Sequence, residues 1–569
     1  MNKIVELTNN ETIEEKKLEN KNSNTESSHF LPEKYKKGVT ENITTKDAIP
    51  QIFASCLAHC IVIQVGIHMA FSTVFIEDFK RTGKMTIDKH HESWITSLMT
   101  IGVPIGSCIA GPLMDKFGRK KICLFSCIPQ IISWLLLLTA NTINLIYISR
   151  FIAGFSSGLT TVGLIYVSEI THPRIRPMML SCNSVFVSFG ILITCCLPVW
   201  LNWLNMAILF LIINCLTFIG LFFIPESPYW SLCFNKMNNE TEKAQLQAEN
   251  SLKWLNRREK IFQSELTRLK TISIDRNENI IKSKFGEKLK NLYHEFCKPT
   301  AYKPLAIISI FLLIQQLSGC YVVIFYAISV FKNIDMNNNK NNNNNLEKIN
   351  EHNSTVYGAL VLLGIVRFFM SIVTAYFSKN YGRRILCITS GLGMAFSMFF
   401  SAMYMYLTSS LDSEKLMDYQ QQQQSSATVM LGQKWILIVI ILFYICMSAI
   451  GFMVIPWTLA GELLPIKIKG CASGFLIAIA YIIMFGVMKA YLYVLDAIGT
   501  QGIFFFFSFI SLIGTAFVYI FLPETLGKSF ADIEQYFVNN NNRENFNNSK
   551  KRNQVQRLQI RDNDENLSV

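Results

Sequence analysis

Gly111-Pro-Leu-Met-Asp115-Lys-Phe-Gly118-Arg119-Lys120 lies between two apolar runs, and its echo, Lys379-Asn380-Tyr381-Gly382-Arg383-Arg384, lies between two others far along the chain. A Gly-Arg-basic turn that recurs at the same place in each half marks a membrane protein built from two parallel repeats. Two further pairs keep the same register. Glu169 ends an apolar run and Arg176 follows seven residues on, as Lys469 follows Glu462. Pro225-Glu226-Ser227-Pro228 closes the first half, and Pro523-Glu524-Thr525 closes the second.

Around these turns, twelve apolar windows can be marked: 51–76, 93–114, 122–140, 145–168, 180–200, 206–224, 304–330, 355–377, 385–407, 435–459, 470–495 and 503–522. Each is close to the roughly 20 residues needed to cross hydrocarbon as a helix, the form that satisfies its own backbone there. The expected fold is therefore an all-α membrane protein of twelve spans in two six-helix halves. Residues 1–50 form a polar tail expected to lack structure, and no cleaved leader is expected. Residues 51–224 form the first half, 225–303 a linker, 304–522 the second half and 523–569 a second tail. Leu252, Leu255, Ile261, Phe262, Leu266 and Leu269 give the linker the pattern of short amphipathic helices. An Asn-rich stretch (332–352) and a glutamine run (420–424) fall in loops and read as tolerated low complexity.

Lysine and arginine crowd the loops after spans 2, 4 and 8, whereas the loops after spans 3, 5 and 11 carry none. Both termini are therefore expected in the cytosol. Asn353-Ser354-Thr355, a glycosylation sequon, then falls outside. The net charge of +13 follows from these loops and tails and does not call for nucleic acid. The fifteen cysteines show no CxxC spacing and read as small packing residues. No metal cluster, nucleophile elbow or phosphate loop stands out. Neither an enzyme nor a cofactor is expected, and the lipid bilayer is the expected environment.

Arg150-Phe-Ile-Ala-Gly154-Phe-Ser-Ser-Gly158, Gln315-Gln316-Leu-Ser318-Gly319, Ile455-Pro456-Trp457 and Pro523-Glu-Thr-Leu-Gly-Lys528-Ser529 extend the match. With them the chain resembles the sugar porter family of the major facilitator superfamily, and within it insect facilitated trehalose and hexose transporters, over roughly residues 51–537. The resemblance implies facilitated transport of a small sugar, trehalose or a hexose, at the plasma membrane, through a central site exposed to each side in turn. It also implies a sugar site built from Gln315, Gln316 and Trp457, narrowed by Tyr321 and joined by Ser184, Phe325 and Tyr326. The charges Asp115, Arg119, Glu169, Arg176, Glu226, Arg383, Glu462, Lys469 and Glu524, all at one end of the spans, are expected to gate it.

Several positions depart from the family pattern. Tyr321 and Arg367 stand where asparagine is common, Leu476-Ile477 where Asn-Trp is usual, and Ser184 where Gln or Thr is found. Proton-coupled relatives place an aspartate where this chain has His68. His68 is thus expected on the central cavity, and a proton-coupled symporter is one alternative. A sugar-sensing receptor with little transport is another. Arg150 is expected near the outer end of span 4, within reach of the interface, and Gly154 and Gly158 form a stripe for close helix packing.

Overall fold

The computed structural model describes residues 45–82, 87–172, 175–233, 241–281, 294, 296–331, 346–415, 426–464, 469–525 and 536–537. The expectations for residues 1–44, most of the Asn-rich stretch, the glutamine run and most of the C-terminal tail lie outside them. So do the side chains of Asn353, Glu462 and Lys469. Met1–Asp47 is a separate unit, and the architecture below is that of Ala48–Val569.

Every regular element among the described residues is helical. The first six windows become α1 (Thr45–Thr82), α2 (Lys89–Phe117), α3 (Arg119–Leu138), the pair α4 (Ile143–Leu159) and α5 (Thr161–Ile170), α6 (Arg176–Cys196) and α7 (Trp203–Gly220). Three linker helices follow: α8 (Pro228–Cys233), α9 (Thr241–Leu255) and α10 (Glu259–Ile281). The second six windows become α11 (Pro299–Leu317) with α12 (Val322–Phe325), then α13 (Leu346–Asn380) and α14 (Arg383–Lys415). They end with α15 (Ser426–Ile450) and α16 (Ile455–Glu462), and with α17 (Lys469–Phe521). Among the described residues, eleven helical stretches are long and apolar enough to cross a membrane. The last of them holds two spans, because Gly499 interrupts α17 with φ 70°. Ile212, Leu216, Phe396, Phe400 and Phe509 stand exposed on the outer faces, as side chains in contact with lipid must.

Two spans of the second half are broken inside the packed core, and side chains take over the freed backbone groups. Span 7 opens at Ser318–Tyr321, where Gly319 adopts φ 86°. The Ser318 carbonyl there accepts from the Tyr444 hydroxyl at 2.7 Å. Span 10 opens at Gly451–Val454. The Phe452 N–H donates to Ser390 Oγ at 3.1 Å, and its carbonyl accepts from Gln315 Nε2 at 2.5 Å. The two breaks are thus tied to each other.

In the first half, contact is set by glycine. A Cβ at Gly154 would run into the Met99 carbonyl, one at Gly158 into that of Val103, and one at Gly106 into that of Phe155. The stripe expected from sequence does bring α2 and α4 together, and α2 answers with glycines of its own. In the linker, Leu252, Phe262, Leu266 and Leu269 bury their side chains against Leu232 of α8. Gln51 bridges this layer to the spans, donating to Asn256 at 2.8 Å and accepting from the His172 amide at 2.9 Å.

Candidate functional site

At the end of the bundle that carries the Gly-Arg turns (the basic end), each half ties its last span to the start of its third. Glu226 Oε1 accepts from the amides of Arg119, Lys120 and Ser227, each at 2.9 Å. Glu524 repeats this, accepting from Arg383 at 2.9 Å, Arg384 at 3.1 Å and Thr525 at 3.0 Å. The first amides of a helix have no partner within it, and the helix dipole favours a negative charge there. Gly118 and Gly382 leave the room, since a Cβ at either would strike the carboxylate.

Arg119, 3% exposed, lies beside this cap and donates from Nε and Nη2 to Glu169 at 2.9–3.1 Å. Its Nη1 reaches the Met114 carbonyl at 3.1 Å and Asp115 at 3.3 Å. The Ser227 hydroxyl also donates to Glu169, a partner that sequence reading missed although it follows Glu226 directly. Arg176 is not joined to Glu169 here. It donates to the Thr171 carbonyl at 3.0 Å and lines a cleft of about 190 Å³ with Gln51, Glu265 and Arg268. Burial, and then the neighbouring Arg268, hold the Arg176 guanidinium below its usual pKa, with Glu265 opposing.

The two halves meet at the opposite, far end. Ser93 Oγ donates to the Lys489 carbonyl at 2.8 Å, the Ile328 amide donates to Thr73 Oγ1 at 3.1 Å, and Lys89 pairs with Asp496 at 2.7 Å. Lys489 Nζ stands 4.0 Å above the Trp94 ring.

Between the ends lie the expected contact residues, at the break in span 7. Gln316 is fully buried, and among the described residues neither its Oε1 nor its Nε2 has a hydrogen-bond partner. Gln315 differs: its nitrogen is engaged at Phe452, and only its Oε1 is unpartnered among the described residues. Trp457 Nε1 donates to the Tyr321 hydroxyl at 3.3 Å, and the Trp457 ring packs 6.1 Å from Tyr481. Phe325 and Tyr326 are buried just beyond, with the Tyr326 hydroxyl donating to the Met488 carbonyl at 2.9 Å. Ser184, on α6, is half-buried.

Two expectations change. Arg150 does not reach out of the bundle: it is 2% exposed, donating to the carbonyls of His68 at 2.9 Å and Ile95 at 3.3 Å and to the Ser72 hydroxyl. Close packing through the glycine stripe encloses it between α1 and α2. His68 turns from the centre toward Trp134 of α3, stacked at 4.5 Å with 16° between the planes. Among the described residues neither of its ring nitrogens has a hydrogen-bond partner.

Two bundles of six spans with paired end-caps are the architecture of the major facilitator superfamily. The structure is similar to the proton:xylose symporter XylE bound to 6-bromo-6-deoxy-D-glucose, with TM-score 0.64 at 18% identity over 86% of this chain and 100% of that one. It is also similar to the inward-open xylose transporter XylE from E. coli, with TM-score 0.61 at 19% identity over 85% and 99%. The chain belongs to the family described as sugar (and other) transporters, whose pattern matches residues 30–537. Among its relatives is the facilitated trehalose transporter Tret1 of Apis mellifera ligustica, 28% identical over 78% of this chain and 79% of the relative. That of Bombyx mori is 27% identical over 84% and 86%. The Drosophila pseudoobscura pseudoobscura protein is 29% identical over 78% of this chain, but the match spans only 46% of that longer relative.

Proposed function

We propose that this chain moves a sugar, trehalose or a hexose, across the plasma membrane by facilitated uniport, with both termini in the cytosol. The observation that carries the reading is Gln316. A fully buried amide offers two donors and an acceptor, and leaving them unfilled is costly unless a polar solute completes them. Trp457, bonded to Tyr321 at the same break in span 7, supplies a flat apolar face for a sugar ring. The relatives' names, facilitated trehalose transporters, support the same reading. Gln316→Ala is expected to raise the apparent half-saturation constant about tenfold to a hundredfold, as lost hydrogen bonds of about 1–3 kcal/mol require. Uptake of labelled trehalose and hexoses into vesicles, with competitors, measures this. Unchanged uptake would place the site elsewhere.

We read the charges of the basic end as a gate that holds that end shut in the alternate conformer. Asp115, Arg119, Glu169 and Glu226 in one half, and Arg383 and Glu524 in the other, gather at matched places. Arg176 adjoins the linker, and Glu462 and Lys469 belong to the same proposal. The competing reading, proton-coupled transport, draws on His68 and its two unpartnered nitrogens. An imposed proton gradient without a sugar gradient is expected to drive no uphill accumulation. Accumulation that disappears in His68→Ala would replace uniport by symport.

A further inference from the structure

The twelve apolar windows contain no aspartate or glutamate, yet they contain Arg150, Arg367 and Lys489. Charges at this depth are rare because hydrocarbon cannot solvate them, so each calls for a partner or a task. Arg150 spends its donors on two carbonyls and a hydroxyl, and Lys489 Nζ, without a hydrogen-bond partner among the described residues, rests on the Trp94 ring at the far end. Arg367 is different. It sits midway along its span on α13, 5% exposed, and its Nε and Nη1 find no hydrogen-bond partner among the described residues.

Its surroundings are those of the central site. The guanidinium lies close enough to Tyr321 and Cys320, at the break in span 7, to interact electrostatically with both. Tyr321 in turn bonds Trp457, which packs on Tyr481. Neither the phenol nor the thiol brings a negative charge at neutral pH. Among the described residues the site therefore holds a cation acting on Tyr321 and Cys320, an aromatic wall and, five residues before Tyr321, the unpartnered amide of Gln316, and no carboxylate pairs with Arg367.

We propose that Arg367 receives a carboxylate carried by the solute, so that the central site takes a sugar acid: a polyhydroxylated ring bearing one negative charge. This rests on the carrier reading above and replaces its neutral sugar, trehalose or a hexose, by a charged one. A guanidinium matches a carboxylate with two parallel hydrogen bonds. A phosphate, at about −1.5 to −2, would leave charge uncompensated beside a single cation.

The deciding experiment measures binding of glucuronate, its uncharged methyl ester, glucose and trehalose to the purified full chain. The ester keeps the ring and removes only the charge. Glucuronate is expected to bind at least tenfold tighter than the ester. Arg367→Gln should erase that ratio, and Arg367→Lys should keep part of it, since lysine supplies charge without the fork. Equal binding of acid and ester to the wild type, with glucose or trehalose also bound, overturns the proposal and leaves the carrier reading standing. A preference for the acid that persists in Arg367→Gln overturns the assignment to Arg367. Binding of none of the four ligands overturns both readings. The comparison of acid with ester needs no variant, so a misfolded Arg367→Gln does not remove the test.

Discussion

Gly106→Ala is expected to abolish accumulation of folded protein, whereas Gly111→Ala, five residues along the same helix, is expected to be neutral or slightly stabilising. The added methyl at 106 would overlap the Phe155 carbonyl and crowd Gly158, and both are backbone that no rotamer change can move. α2 and α4 would have to part, taking with them the bonds from Arg150 to α1 and α2. Overpacking a core costs about 1–3 kcal/mol when side chains can yield, and here they cannot, so the effect should reach or exceed that range. At Gly111 nothing lies within 4 Å, and the higher helix propensity of alanine should contribute up to about 1 kcal/mol. Size-exclusion profiles of the two variants in detergent make the comparison. Equal profiles would mean that α2 and α4 are not packed through these glycines.

Glu169→Gln is expected to lower the melting temperature strongly, and more than any change at an exposed ion pair. The carboxylate takes the Nε and Nη2 bonds of a guanidinium that is 3% exposed, and it also accepts from Ser227. Removing one partner of a buried pair costs about 3–5 kcal/mol, because the remaining charge stays buried. Arg119 keeps its bonds to the Met114 carbonyl and Asp115, which argues for the lower end of that range. Lys89→Ala, which cuts the pair with Asp496, should cost no more than about 1 kcal/mol. Thermal unfolding in one detergent at one scan rate compares them, since membrane proteins commonly unfold irreversibly. A Glu169→Gln protein that melts with the wild type would sink the assignment of Arg119 and Glu169 as a buried pair.

Much of the architecture was legible because the spans are nearly free of charge and the basic turns repeat in register. The interruption of span 10 was readable from Pro456. That of span 7 was not, although Gly319 stands at its turn. The engagement of Gln315 at Phe452 was also hidden, because its partner is a carbonyl 137 residues away that becomes free only when span 10 breaks. Glu226 and Glu524 were visible as a repeated pair of acids. Their union with the backbone amides of the third and ninth spans was not, since an amide carries no signature in sequence. The direction of His68 is hidden in the sequence as well, because the stacking face it meets, the indole of Trp134, belongs to another span.

The bonds within each half and the bonds between the halves differ in kind. Inside a half, three amides converge on a single carboxylate and guanidinium nitrogens are buried. Across the far end, Ser93 and Thr73 contribute two neutral hydrogen bonds, and the one ion pair described there, Lys89 with Asp496, is 66% and 51% exposed and worth about 0–1 kcal/mol. Two stiff shells joined by a brittle seam should flex at the seam before either shell deforms. Salt would soften the exposed ion pair and leave the shells alone. A rise in the empty carrier's rate of reorientation with ionic strength, at constant melting temperature, would be the signature of that division of labour.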